Sequence, residues 1–259
     1  MNDTNPIKAK VQQQFGAHAQ NYVTSTVHSQ GQDLDIMLDF AHVTPTDRVL
    51  DVATGGGHTA LKFAPHVAHV VASDITPLML EAASAFIRPQ AANVSFEVAD
   101  AEALPFDHAS FDVVTCRIAA HHFPDIFKFI LASARVLKPG GRLVIHDHVA
   151  PPTPRDAEYI DAFERLRDPS HAREFSHLEW RNAFLDAQLQ ISQETDYYHT
   201  AGFVSWVERL SCPPAVVERL TVMMAQAPES VRAWLEPQAI GTPQATFKHH
   251  YVILAGIKG

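Results

Sequence analysis

The sequence predicts an α/β fold: a Rossmann-like, doubly wound sheet with helices on both faces and further helices appended as a lid. Three observations carry this. Between residues 48 and 148 short continuous apolar runs alternate with helical patterns over short connections, the signature of βαβ units with a covered parallel sheet. Glycine is scarce at 11 residues, and five of them sit in Gly55-Gly56-Gly57 and Gly140-Gly141, so the backbone needs them at those places. Three consecutive strand candidates close on an aspartate: Asp51, Asp74 and Asp100.

Taken in order, the N-terminal 45 residues are polar and Gln-rich. Phe15, Ala19, Tyr22 and Val23 repeat at helical spacing, and Leu34 to Phe40 forms a second helical candidate. Arg48–Val52 is a buried strand running into the first glycine cluster. His58 to Ala64 is helical and ends at Pro65. His69–Asp74 is the second strand. Pro77 to Ile87 is a helix with Pro in its first turn and Thr76 as N-cap. Val94–Val98 and Phe111–Cys116 are the third and fourth strands. Asp125 to Leu137 is a helix stopped by Lys138-Pro-Gly-Gly141, and Arg142–His146 is the fifth strand. After Pro151, Pro152 and Pro154, helical patterns lie at 155–167, 177–187, 203–210, 214–226 and 229–235. Strand candidates follow at 189–193, continuing toward Tyr198, and at 247–257. The expected organisation is one domain: residues 1–45 a helical cap, 46–150 the ligand-binding core, 151–259 lid helices plus the last two strands.

Composition excludes several function classes. The chain has 259 residues, 46% hydrophobic and 19% charged, which is globular rather than disordered. Asp+Glu number 29 against 20 Lys+Arg, a formal charge of −9, and no basic run occurs. Such a chain is repelled by phosphate backbones, so nucleic acid is not an expected partner. Two distant cysteines, Cys116 and Cys212, make neither a disulfide scaffold nor a Cys-based zinc site. No apolar leader and no run of about 18 apolar residues is present. A cytoplasmic protein is expected, with a small-molecule partner and a homodimer as the assembly allowed.

The chemistry concentrates in Val49-Leu-Asp-Val-Ala-Thr-Gly-Gly-Gly57, a strand that turns on three glycines into a helix. Gly55-x-Gly57-x-x-Ala60, with Asp74 about 20 residues on, matches a dinucleotide fingerprint. A tight turn without any ligand would need the same glycines. Asp51 separates the two candidate cofactors. A carboxylate there repels a pyrophosphate but suits S-adenosylmethionine (SAM), whose ammonium and sulfonium are cationic. Asp74 is placed to take ribose hydroxyls and Asp100 to accept from an adenine amino group. Any one of these acids could simply cap a turn; all three together argue for a ligand.

These segments resemble the class I SAM-dependent methyltransferases, and within them the small-molecule enzymes related to the ubiquinone/menaquinone-biosynthesis C-methyltransferases. VLDVATGGG is similar to the family's first motif, with Ala53 where many members have glycine. SDIT, ADAEALPF (99–106), FDVVTCRIAAHHFPD (111–125) and RVLKPGGRLVIHDH (135–148) resemble the successive motifs in order. Residues 165–180 resemble one branch of the group; beyond 185 the likeness is architectural. The resemblance implies a seven-stranded sheet whose last strand is antiparallel, with 247–257 in that role. It implies that Asp51, Ala53, Thr54, Gly55 and Gly57 face the methionine part of SAM. Asp74 with Ile75 would hold the ribose, and Asp100 with Ala101 the adenine. Arg117 and Ile118 would line the cofactor, and Tyr22 would close over it.

Histidine is abundant, 16 residues. His121 and His122 follow the fourth strand and are the candidate catalytic residues, as general base or acceptor ligand; a metal site or a structural role are the alternatives, and no metal is expected. His146 and His148 share one strand face. His249 and His250 read as strand residues pointing to opposite faces. Arg165, Arg167, Asp168, His171 and Arg173 form a polar patch that serves either lid salt bridges or an acidic substrate. The expected function is transfer of a methyl group from SAM to a carbon or oxygen of a small organic acceptor. A SAM-binding module without catalysis and a nicotinamide-dependent oxidoreductase are the rivals.

Overall fold

The computed structural model describes residues 5–23 and 31–259, with backbone alone over 17–23. The apolar runs form strands β1 (Arg48–Val52), β2 (His69–Asp74), β3 (Val94–Val98), β4 (Phe111–Arg117), β5 (Leu137–His148), β6 (Leu189–Gly202) and β7 (Thr246–Lys258). They make one sheet in the order β3-β2-β1-β4-β5-β7-β6. β7 is antiparallel to both its neighbours. The strand order reverses beside β1, so the carboxyl ends of β1 and β4 flank the crevice where such sheets bind ligands.

The helices are α1 (Pro6–Val23), α2 (Gln32–Ala41), α3 (His58–Phe63), α4 (Pro77–Ile87), α5 (Ile126–Val136), α6 (Pro154–Arg167), α7 (His177–Asp186), α8 (Phe203–Glu208), α9 (Pro214–Gln226) and α10 (Glu229–Leu235). Successive strand residues feed opposite faces. Val49 packs with Met37 of α2, Phe63 of α3 and Ile87 of α4, whereas Leu50 belongs with Phe129 and Ile130 of α5 and Trp180 of α7. A separate core around Phe163, Trp206 and Phe247 joins α6, α8, α9 and α10. That core sits where it does because β6 and β7 outrun β5. β5 ends at His148 opposite Tyr251, while the β6–β7 pairing continues to Gly202 opposite Thr246. The overhang carries the lid helices past the carboxyl ends of the parallel strands.

Three local expectations are corrected. Of the 45-residue cap, α1 covers the cofactor side, but α2 buries Leu34, Met37 and Ala41 in the core of the sheet's other face. β5 starts at Leu137 rather than 142: the strand runs on through Lys138-Pro-Gly-Gly141, with Gly140 left-handed (φ 77°), and its register on β4 shifts between Phe111 and Val113. Thr76 stands at the N-cap of α4 without a capping bond from its side chain. The neighbouring Asp74 carboxylate takes the Thr76 N–H instead, at 2.8 Å.

Gly256 on β7 is a packing glycine. A Cβ there would lie 2.5 Å from Cδ1 of the buried Phe184 ring and 3.1 Å from Leu189 Cβ. Overpacking of this kind costs about 1–3 kcal/mol. Gly256→Ala is therefore expected to lower the unfolding free energy by that amount, seen as a lower urea-denaturation midpoint at an unchanged slope; an unaltered midpoint would show that α7 gives way freely.

Candidate functional site

The loop after β1 is held from beneath. The Asp51 carboxylate is 1% exposed and accepts from the Thr54 hydroxyl at 2.6 Å and the Thr115 hydroxyl at 2.8 Å. Burial pushes its pKa up to about 6 against these two donors. The loop then turns through left-handed conformations at Ala53 (φ 53°), Gly55 (φ 53°) and Gly57 (φ 85°). Such turns are rare for residues with a Cβ, which is why glycine suits the Ala53 position. Thr54 N–H is tied to Ser73 O at 2.8 Å, fastening the loop to β2. Gly57 has a second constraint: a Cβ would meet Ile87 Cδ1 at 2.5 Å.

Ala53, Thr54, Gly55 and Gly56 line an open cleft of about 980 Å³ between the sheet end and α1. Two sequence-predicted residues stand apart from this lining. Asp51 does not line this cleft, because Thr54 and Thr115 enclose it. Gly57 does not either, because it faces α4. Asp74, Ile75, Asp100 and Ala101 all line the cleft. Asp74 accepts Gly55 N–H at 3.1 Å on one oxygen and Thr76 N–H on the other. Burial raises its pKa, against those backbone donors. A carboxylate has about four acceptor positions, so two hydroxyls can still be accommodated. Asp100 accepts Glu102 N–H at 3.0 Å. It also pairs with Lys8 Nζ at 2.6 Å, as does Glu102. Val11 and Phe15 of α1 line the same cleft, and Gln12 donates to Ile75 O at 2.8 Å. Tyr22 falls in the last turn of α1, but its side chain lies outside the described residues.

The end of β4 divides this cleft from a second one. Arg117 and Ile118 line the first, and the Arg117 Nε donates to Asp33 Oδ2 at 2.5 Å. Ile118 has φ 50°, an outlier for a β-branched residue, and its N–H reaches His146 O at 2.6 Å. Beyond it the buried Asp147 carboxylate accepts N–H groups of Ala119 (3.1 Å), Ala120 (2.5 Å) and His121 (3.3 Å). Asp147 also meets His121 Nδ1 at 2.6 Å. Burial alone would raise the Asp147 pKa; His121 beside it holds the carboxyl well below the usual range. Burial works against charge on His121, but Asp147, Glu174 and Glu164 outweigh it and raise its pKa. His122 differs. Burial and the neighbouring His121 lower it to about 3, and its Nδ1 lies 3.1 Å from Ser170 O. A carbonyl only accepts, so Nδ1 carries the proton and Nε2 the lone pair.

His121 lines the second cavity and His122 lines both. The second cavity, about 740 Å³, shares Phe15, Ile118 and His122 with the first and is otherwise walled by His121, by residues of β5, β6 and β7, and by the lid. His146 lines neither: its ring is packed against Tyr197 and Tyr251. His249 is corrected from plain strand residue to cavity wall, because the β7 overhang exposes it there; His250 stacks on Trp234 at 3.8 Å on the opposite face. Sequence reasoning also missed Lys8, Phe15, Gly56, His199 and Tyr251. Lys8 is one of two lysines on the cap helix, and for all five, distance along the chain hides the proximity. Among the described residues no group of three or more His, Cys, Asp or Glu is arranged to hold a metal ion, and no helix is long and apolar enough to cross a membrane.

This arrangement can be set beside known proteins. Residues 50–145 match the methyltransferase domain family. An uncharacterized methyltransferase, YcgJ, of Bacillus subtilis (strain 168) is 38% identical over 219 residues, covering 84% of this chain and 87% of that one. The crystal structure of the B. subtilis YcgJ protein superposes with a TM-score of 0.84 over 88% of this chain and 98% of its own, at 36% identity. A demethylmenaquinone methyltransferase of Clavibacter sepedonicus is 35% identical over 61% of this chain and 66% of its own length. The geranyl diphosphate C-methyltransferase of Streptomyces coelicolor A3(2), solved with S-adenosyl-L-homocysteine, shares the fold at a TM-score of 0.68 and 12% identity, covering 99% of each chain. With its motifs in order, its sheet topology and relatives of this kind, the chain belongs to the class I SAM-dependent methyltransferases.

Proposed function

We propose that this methyltransferase acts on a carbon or oxygen atom of a small organic acceptor held in the second cavity, with His121 as general base. One observation carries the reading. His121, aligned by the Asp147 carboxylate at 2.6 Å, lines a cavity that shares Ile118 and His122 with the cofactor cleft. The chemistry of the first cleft fits SAM. Asp74 retains acceptor capacity for ribose hydroxyls, and the carboxylates of Asp100 and Glu102 beside it oppose a pyrophosphate. Asp51 would act on a bound cation through the Thr54 hydroxyl rather than by contact. SAM, when bound, supplies a methyl group on a cationic sulfur that leaves with the bonding pair as S-adenosylhomocysteine. No enzyme nucleophile is needed for that displacement, and Cys116 remains buried.

The chain's own residues supply alignment, water exclusion and proton transfer. Nδ1 of His121 donates to Asp147, so the neutral ring keeps its lone pair on Nε2. That nitrogen takes the proton from the acceptor's C–H or O–H and leaves the electron pair on the attacking atom. His122, far less basic, is suited to positioning. Similarity to a demethylmenaquinone methyltransferase over part of the chain supports a small organic acceptor.

SAM and S-adenosylhomocysteine are expected to raise the melting temperature by linkage, and NAD to leave it unchanged; stabilisation by NAD and not by SAM would overturn the cofactor reading. Asp74→Ala removes charge-assisted hydrogen bonds of roughly 1.5–3 kcal/mol. Calorimetry should then show SAM affinity about tenfold weaker or more, and an unchanged dissociation constant would reduce Asp74 to a loop anchor. A metabolite extract incubated with methyl-labelled SAM identifies the acceptor. With that acceptor, His121→Ala is expected to cut turnover by about 10²-fold or more, with SAM binding retained and chelators without effect. Protonated His121 cannot act as a base, so wild-type turnover should fall as pH drops through the His121 pKa, which lies above the ordinary 6.5. A pH profile that survives intact in His121→Ala would return this residue to structure.

A further inference from the structure

The polar patch at 165–173 resolves unevenly. Arg165 donates to Ala172 O at 2.7 Å, His171 Nε2 pairs with Asp161 at 2.9 Å, and Arg173 pairs with Glu179. Arg167, at the last turn of α6, does none of this. Its Nε donates to Trp206 O at 3.1 Å, and its guanidinium lies over the Trp206 ring, 4.6 Å from the centroid. Among the described residues its two terminal amino groups donate no hydrogen bond, and they belong to a side chain that lines the second cavity.

That cavity has a direction. A wall of rings runs from His121 to His148 (4.8 Å between centroids), to His249 (5.1 Å) and to Trp206 (6.1 Å), where Arg167 lies. The base is at one end and the guanidinium at the other. Arg209 adds a second guanidinium to the same lining, and burial with Arg209 nearby disfavours the charged form of His199. Two acids stand on the same wall, and both interact electrostatically with Arg167. Asp168 is occupied by Ser170, through its N–H at 2.9 Å and its hydroxyl at 2.5 Å. Glu164 faces His249 Nδ1 at 3.8 Å. Tyr251 and Phe15 add aromatic rings to the cavity lining, while the Trp206 ring is covered by Phe163 and Arg167.

We propose that the acceptor carries an oxyanion, a carboxylate or a phosphate, on a flat apolar body, gripped by the fork of Arg167 while its reacting atom lies at His121. A guanidinium with two unused amino groups matches such a group in a bidentate manner, where a lysine would not. Both ends of the acceptor are then fixed before the methyl group is transferred. The proposal rests on the methyltransferase reading and narrows it to one substrate class.

Protein saturated with S-adenosylhomocysteine is titrated calorimetrically with benzoate, phenyl phosphate, benzamide and benzylamine. Benzoate or phenyl phosphate is expected to bind, the better of the two identifying the oxyanion, and benzamide and benzylamine at least about tenfold more weakly. Arg167→Gln should lose about tenfold or more of the anion affinity while keeping S-adenosylhomocysteine binding, which reports an intact fold. Arg167→Lys, which keeps the charge but not the fork, should show a smaller loss and stands in if the Gln variant does not fold. Absence of anion binding, equal binding of benzamide, preference for benzylamine, or unweakened anion binding in both variants overturns the proposal. Failure of S-adenosylhomocysteine to bind at all strikes instead at the methyltransferase reading.

Discussion

The Asp147 carboxylate, buried at the end of β5, accepts three consecutive backbone N–H groups from 119–121 and the Nδ1 proton of His121. It also takes His148 N–H at 2.7 Å. Five donors around one buried carboxylate keep it ionised where desolvation would otherwise neutralise it. The chain leaving β4 is thereby clamped to β5, Ile118 is held in its left-handed conformation, and His121 is turned into the second cavity. The wall between the two cavities is set by this one group.

A second buried ionic cluster supports the same wall from the other face of the sheet. Asp33 of α2 bonds Arg117 and stands 3.0 Å from His146 Nδ1. Burial would raise the Asp33 pKa, but His146 and Arg117 hold it well below the usual range. Buried pairs of this sort are weak sources of net stability, whereas losing one partner costs roughly 3–5 kcal/mol. Their effect here is geometric. α2 is docked so that Arg117 is drawn toward the sheet, which leaves Ile118 as the apolar rim of both cavities. On the cofactor side, Lys8 performs a lighter version of the same task, pinning α1 to Asp100 and Glu102 across partly exposed pairs that screening weakens. The rigid wall and the lightly held helix fit a site whose chemistry needs fixed geometry and whose cofactor must enter and leave.

The fold and most of the cofactor cleft are legible in the sequence for one reason: their determinants are local. Parallel strands buried on both faces must be continuous apolar runs, and a strand-to-helix turn under a ligand must be glycine-rich, so β1 to β5 and the 53–57 loop announce themselves. Asp74, Asp100, Ala101, Arg117 and Ile118 each follow a strand, and the carboxyl ends of parallel strands converge, so their proximity is implied by periodicity alone. The misplacements were at the scale of a single side chain. Asp51 and Gly57 sit in the right segment but turn away, one enclosed by Thr54 and Thr115 and the other packed on Ile87, because period-2 alternation and the left-handed turn decide which neighbour faces out.

What the tertiary structure alone decided is the second cavity. His121, His148, Arg167, Trp206 and His249 come from five separate stretches of chain, and no periodicity links them. Their meeting depends on how far the β6–β7 pair overhangs β5, and on how the lid core around Phe163 and Phe247 seats α6 and α8 there. That length is set by packing of remote side chains, a sum of many small apolar contacts rather than a motif. The amino-acid sequence by itself determined the sheet, its ligand-binding end and the chemistry of the cofactor. The different surroundings of His121 and His122, and those of Arg167, arose only when burial and distance assigned each group its partners.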